Sequence, residues 1–196
     1  MARPRKFAEE DVIAAARDQF WSAGYAGTSL DDLTVATGLG RGSLYGAFGD
    51  KHELFLRALD DYCGNFSARV NADLRDGGGS AYQRLVGHIR TMANPTTAQA
   101  RRGCLMAKSA TELGATDNDV LQLVRRSMQK YQSELRSVID EAQREGDLPP
   151  AADPDDLALL VLTFLRGSEA LRKAGFSVAK MQAVAEAFIA LLPVAA

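Results

Sequence analysis

Residues 29–48, SLDDLTVATGLGRGSLYGAF, read as two short helices joined by a tight turn. Ser29 stands at an N-cap position with Asp32 three residues on. Its hydroxyl can accept a backbone N–H while the carboxylate sits at the positive helix end. Leu30, Leu33 and Ala36 recur at helical spacing as one apolar stripe. Gly38 follows, where a left-handed residue ends a helix. Leu39 is the one apolar side chain of the turn and is expected in the core. A second helix begins near Arg41, turns Leu44 and Phe48 inward and leaves Arg41, Ser43, Tyr45 and Gly46 outward. Two short helices about a glycine-containing turn, the second with a polar outer face, describe a helix-turn-helix. That motif lays its second helix in the DNA major groove. The pattern by itself also fits an ordinary helical hairpin in a bundle.

The flanking segments extend the unit. A helix is predicted from Glu9 to Ala23, with acidic residues in its first turn, Gly24 at its end and Ile13, Ala16, Phe20 and Ala23 as its buried stripe. After Gly49, Asp50 is placed to cap a long helix from Lys51 to about Arg75, with apolar residues at intervals of three and four from Leu54 to Leu74. Lys51 lies on the first turn, where a cation does not suit the helix dipole. A phosphate contact would explain it, and so would an ordinary surface position. Arg3, Arg5 and Lys6 precede the first helix and read either as a solvated tail or as an arm reaching a DNA groove or phosphates.

Charge alone does not announce a nucleic-acid binder. The chain of 196 residues has a formal net charge of −2. Up to Arg57 the basic residues Arg3, Arg5, Lys6, Arg17, Arg41, Lys51 and Arg57 are balanced by carboxylates, most of them at helix starts. DNA affinity must therefore come from where the charges lie. Hydrophobic residues make up 46%, enough for a proper core. Cys63 and Cys104 are far apart and form no C-x-x-C, which implies neither a zinc site nor a disulfide framework and fits the reducing cytoplasm. MARPRK runs into EED without an apolar stretch, so no signal peptide is expected. The run Leu157–Leu162 is too short to span a bilayer.

Asp76-Gly-Gly-Gly-Ser80 is the clearest linker. Further helices are predicted over Ala81–Ala93, Gly103–Leu113, Val120 to about Gly146, Leu157–Ala174 and Val178–Leu192, with Thr96–Arg102 a loop containing a short helical turn. No segment alternates with period two. The expectation is an all-α fold of nine helices, with domains at residues 1–50 and 51–196.

The stretch AARDQFWSAGYAGTSLDDLTVATGLGRGSLYGAFGDKHELF resembles the N-terminal domain of the TetR family of bacterial repressors. The matching pieces are F-x3-G-Y, T-S, L-x2-A-x-G-L, R-G-S-L-Y-x2-F and G-x-K-x2-L-F, over about residues 10–60. The resemblance implies a helix-turn-helix DNA-binding domain followed by a helical ligand-binding and dimerisation domain. It implies a homodimeric repressor released from a pseudo-palindromic operator by a small-molecule inducer, without cofactor or metal. Ser29 falls on the family's phosphate-contacting cap, Arg41, Gly42, Ser43, Tyr45 and Gly46 on the DNA face, and Lys51 on a phosphate-facing turn. Gly40 departs from the family's frequent hydroxyl cap and Ala47 from its frequent His. With Gly46 and Ala47 both small, Arg41 is the candidate for a bidentate guanine contact and Tyr45 for phosphate.

Helix 157–174 is apolar on almost every face, which predicts burial against both core and partner. With the last helix it offers Leu160, Phe164, Leu171, Val184, Phe188 and Leu191 to a two-fold four-helix interface, as the resemblance also implies. Tyr62, Phe66, His88, Met92, Met106, Thr111, Tyr131 and Phe164 are candidate linings of an apolar ligand pocket, each equally readable as core. Cys104, in Arg101-Arg-Gly-Cys-Leu-Met near a helix start, joins them as a candidate electrophile or oxidant sensor, or as a small buried hydrophobe. The chain lacks G-x-S-x-G, H-E-x-x-H, P-loop and dinucleotide fingerprints, and it has only His52 and His88, so an enzyme is not expected. The rival reading is a helical scaffold or ligand-binding protein without DNA activity.

Overall fold

Capping chemistry sets most of the helix boundaries. In the computed structural model, which describes residues 8–193, the helices are α1 (Glu9–Ala23), α2 (Leu30–Thr37), α3 (Arg41–Phe48), α4 (Lys51–Asn71), α5 (Ala81–Ala93), α6 (Thr97–Arg102), α7 (Leu105–Leu113), α8 (Asn118–Glu145), α9 (Pro154–Lys173) and α10 (Val178–Leu191). No strand occurs among the described residues. Arg3 and Arg5 lie outside them. The nine predicted helices are all present. Thr96-Thr-Ala-Gln99 is a capping box that starts the six-residue α6, where a loop containing a short helical turn was expected. No helix among the described residues is long and apolar enough to cross a membrane.

The chain packs as two units. The first comprises Met1–Asn65 and Cys104–Arg125; the second comprises Phe66–Gly103 and Arg126–Ala196. The grouping has physical causes visible in the first unit. Phe55 of α4 packs edge-on against Phe20 of α1, ring centroids 5.0 Å apart, and Leu54, Phe55, Ala58 and Leu59 are core residues. α7 grips the end of α1. Lys108 Nζ donates to the Trp21 carbonyl at 2.7 Å, while Glu112 accepts from the Tyr25 and Ala26 N–H groups at 3.0 and 2.6 Å. Asp117, which caps α8, meets His52 Nε2 of α4 at 2.6 Å. Burial opposes ionisation of Asp117, but its bonds with the Val120 N–H and His52 prevail and hold its pKa below the usual range. Both α4 and α8 contribute residues to both units.

In the second unit α4 passes into a π-turn at Ala72–Asp76, where a plain helix to Arg75 was expected. The wider turn keeps Leu74 buried, and its carbonyl accepts from Arg84 Nε at 2.8 Å. It also brings Asp73 Oδ2 to 2.9 Å from His88 Nδ1. A Ser80–Gln83 capping box starts α5, whose Leu85, Val86 and Ile89 enter the core. Asp153 accepts from the Asp155 and Asp156 N–H groups to start α9, with Pro154 in the first turn.

Candidate DNA-reading head

The helix-turn-helix is built from local rules. Ser29 Oγ accepts the Asp32 N–H at 3.1 Å, and Asp32 Oδ2 accepts the Ser29 N–H at 2.8 Å. The Ser29 hydroxyl and N–H hold the Asp32 carboxyl below the ordinary aspartate range. Gly38 ends α2 in the left-handed region, φ +69°, as its position predicts. Thr28, buried and missed by pattern reading, donates to the Gly24 carbonyl at 2.7 Å and ties the loop before α2 to the end of α1.

The apolar stripes shift from their expected positions. In α1 Val12, Ala16 and Phe20 are buried, Ile13 is half-buried and Ala23 exposed. Ala23 ends the helix, and the i, i+4, i+8 row from Val12 faces the core. In α2 only Leu33 is fully buried; Leu30 is half-buried and Ala36 exposed, because an eight-residue helix presents little more than one turn to its neighbours. Leu39 is half-buried. Leu44 and Phe48 of α3 are buried as expected.

What α3 leaves outside is Arg41, Gly42, Ser43, Tyr45 and Gly46, with Ser29 exposed at the start of α2. Beyond the backbone of α3 itself, a Cβ added at Gly42 or Gly46 would face open space. α3 starts at Gly40 without a side-chain cap. Arg41 bonds across the turn to Asp31 of α2: one carboxylate oxygen, Oδ1, takes Nη2 at 2.6 Å and Nε at 3.2 Å. That bond reinforces the guanidinium charge. Lys51 lies half-buried with its ammonium 4.2 Å from the Tyr25 ring centroid, so its first-turn position already has a cation–π partner.

The other candidates divide between the units. Tyr62, Cys104 and Met106 are buried in the first. Tyr62 packs edge-on against Trp21, centroids 5.0 Å apart. Cys104 is the N-cap of α7, its side chain making no capping bond. Thr111 does not fit a pocket lining: it is exposed, and its hydroxyl donates to the Ala107 carbonyl of its own helix at 2.8 Å. In the second unit Phe66, His88 and Tyr131 meet, Met92 being half-buried. His88 is fully buried, with Nε2 2.5 Å from the Tyr131 hydroxyl, and the Phe66 and Tyr131 rings lie 5.1 Å apart. Asp73 and Arg166 complete this cluster and were not candidates; Arg166 stands 5.8 and 5.9 Å from the Phe66 and Tyr131 rings. Phe164 stacks on Phe188 at 4.1 Å, which pairs α9 with α10.

Residues 12–58 match the profile of bacterial regulatory proteins of the tetR family, and residues 81–188 match the tetracyclin repressor-like C-terminal domain. The chain belongs to the TetR family. It is 29% identical over 192 residues to the transcriptional repressor ComR of Escherichia coli K12, covering 97% of this chain and 91% of ComR. The TetR-family regulator CifR, with cysteine substitutions and in complex with a 26-base-pair operator duplex, superposes with a TM-score of 0.85 at 30% identity, covering 98% of this chain and all of CifR. A TetR-family regulator from Cytophaga hutchinsonii has the same fold, TM-score 0.85 at 23% identity, over 94% of each chain. This TetR-family chain is a DNA-binding transcriptional regulator and not an enzyme.

Proposed function

We propose that the protein is a homodimeric repressor that acts in the cytoplasm, binds a pseudo-palindromic operator through α3 and is released by a small-molecule inducer. The observation that carries this reading is the outer face of α3, polar or bare throughout, while Leu44 and Phe48 of the same helix are buried. Residues 1–50 are the DNA-binding domain in this reading, and residues 51–196 the ligand-binding and dimerisation domain. Arg41 reads a base edge; Ser29, Tyr45 and Lys51 position the head on phosphates, with Arg3 and Arg5 as an arm; Gly42, Ser43 and Gly46 let α3 seat closely.

Dimerisation is supported by apolar side chains left outside on α9 and α10. Leu160, Leu171, Val184 and Leu191 are exposed in the single chain, Leu191 by 82%. The burial expected on every face of α9 is thus present only on the Ala158, Val161, Leu162 and Leu165 side. Two-fold pairing would set the recognition helices about 34–36 Å apart for successive major grooves. Leu160→Glu should shift the sedimenting species from dimer to monomer; an unchanged dimer contradicts this interface.

Titration of the gene's own upstream DNA against salt tests the whole reading. Log affinity should fall linearly with log salt, with a slope reflecting roughly 6–10 phosphate contacts. Absence of binding at low salt contradicts it. For release, a ligand entering beside Phe66, His88 and Tyr131 would favour a conformation with mis-spaced heads, by a coupling of about 1–3 kcal/mol. A second trigger rests on Cys104, the residue that precedes the first turn of α7. Cys104→Ser should abolish oxidant-induced release from DNA; unchanged release removes Cys104 from the mechanism.

A further inference from the structure

Arg41 is the only cationic side chain on α3, and between Gly42, Gly46 and Ala47 it is the only long flexible one. A long arginine on a bare surface samples many rotamers, and a base contact must fix one of them. The bond to Asp31 favours one of them in the protein alone. Asp31 Oδ1 occupies the Nε–Nη2 edge of the guanidinium. Of the five N–H groups in the planar fork, the two on the side edge are used; the three left over include the end pair, one N–H each from Nη1 and Nη2. That end pair can match guanine O6 and N7. Asp31 itself is exposed in the first turn of α2. A carboxylate there repels phosphates, and the arginine it holds offsets that charge.

We propose that Asp31 is a positioning residue for base recognition: it holds the Arg41 guanidinium side-on, so that its end-on donor pair faces a guanine edge. This rests on α3 being the reading helix. Asp31 then raises selectivity at one base pair while lowering sequence-independent attraction to DNA. It acts through Arg41 and needs no DNA contact of its own.

The test uses a duplex selected from a randomised pool by the wild-type protein, and a panel in which each base pair is changed in turn. Full-length Asp31→Ala, Asp31→Asn, Arg41→Ala and the Asp31→Ala/Arg41→Ala double variant are titrated against the panel, their folding checked by thermal melting. Arg41→Ala identifies the base pair it reads. Asp31→Ala should lose roughly three- to tenfold of the discrimination at that base pair alone. Asp31→Asn, which keeps a carbonyl acceptor, should lose less. In the Arg41→Ala background, Asp31→Ala should change no discrimination. If Asp31→Ala raises affinity equally across the panel with discrimination intact, Asp31 is a repelling charge only and the proposal is overturned. Relaxation at a base pair that Arg41 does not read overturns it too. If Arg41→Ala itself relaxes no base pair, Arg41 as base reader falls, and the positioning role with it.

Discussion

Helices α2 and α3 are both eight residues long, yet they are built on opposite terms. α2 opens on a reciprocal Ser29–Asp32 capping box and closes on a left-handed Gly38. α3 opens on a bare Gly40 and carries Gly42 and Gly46 in its interior, where each glycine costs about 0.5–1 kcal/mol relative to alanine. Nothing within the protein fills the space beside those two glycines. Gly27 shows the contrast: a Cβ there would lie 2.5 Å from the Ala23 carbonyl oxygen, so the fold itself demands glycine. The ends of α2 and the loop before it are fixed by contacts within the protein. In the proposed reading, the bare face of α3 is kept for DNA.

The variants that break this comparison fall in order of size. Arg41→Ala should weaken operator binding roughly 10- to 100-fold and relax one base position, with an unchanged melting temperature, because Arg41 is exposed. A uniform loss over all operator variants would make it a phosphate contact. Gly27→Ala should lower stability by about 1–3 kcal/mol through overpacking against backbone, seen as an earlier midpoint in denaturant. Ser29→Ala should cost about 1 kcal/mol of stability by removing the cap, and weaken operator affinity besides if the hydroxyl also meets a phosphate. The smallest effect is acid sensitivity of the box. The Asp32 carboxyl is held below its unfolded value, so its contribution is fully present above about pH 4 and is lost as pH falls through the lower folded value. Asp32→Asn should flatten that part of the stability–pH curve, which melting from neutral pH into strong acid would show.

The sequence displays α2 and α3 clearly because their signals are local: a cap, a glycine, an apolar residue every three or four positions. The same holds for α5, which begins at Ala81 as expected, whereas α9 begins at Pro154, ahead of the expected Leu157, because Asp153 caps it there. What stayed hidden depends on residues far apart in the chain. The Asp31–Arg41 bond crosses a turn and joins two helices, so no single-helix spacing reveals it. The grip of Lys108 and Glu112 on the α1–α2 loop spans more than eighty residues and moves α7 into the first unit. His88 was legible as a histidine in an apolar helix, but its partner Asp73 reaches it only through the π-turn. Thr111 sits three to four residues beyond its acceptors on α7, and that local bond accounts for its hydroxyl better than a pocket does.

The claim that α3 is bare for the sake of DNA is tested most directly by Gly46→Ala, measured for both stability and operator affinity. The added methyl meets open space in the protein, so stability should rise by about 0.5–1 kcal/mol. Operator affinity should fall in the same variant, across all operator sequences. A variant that gains stability and binds the operator as tightly as the wild type would contradict the account.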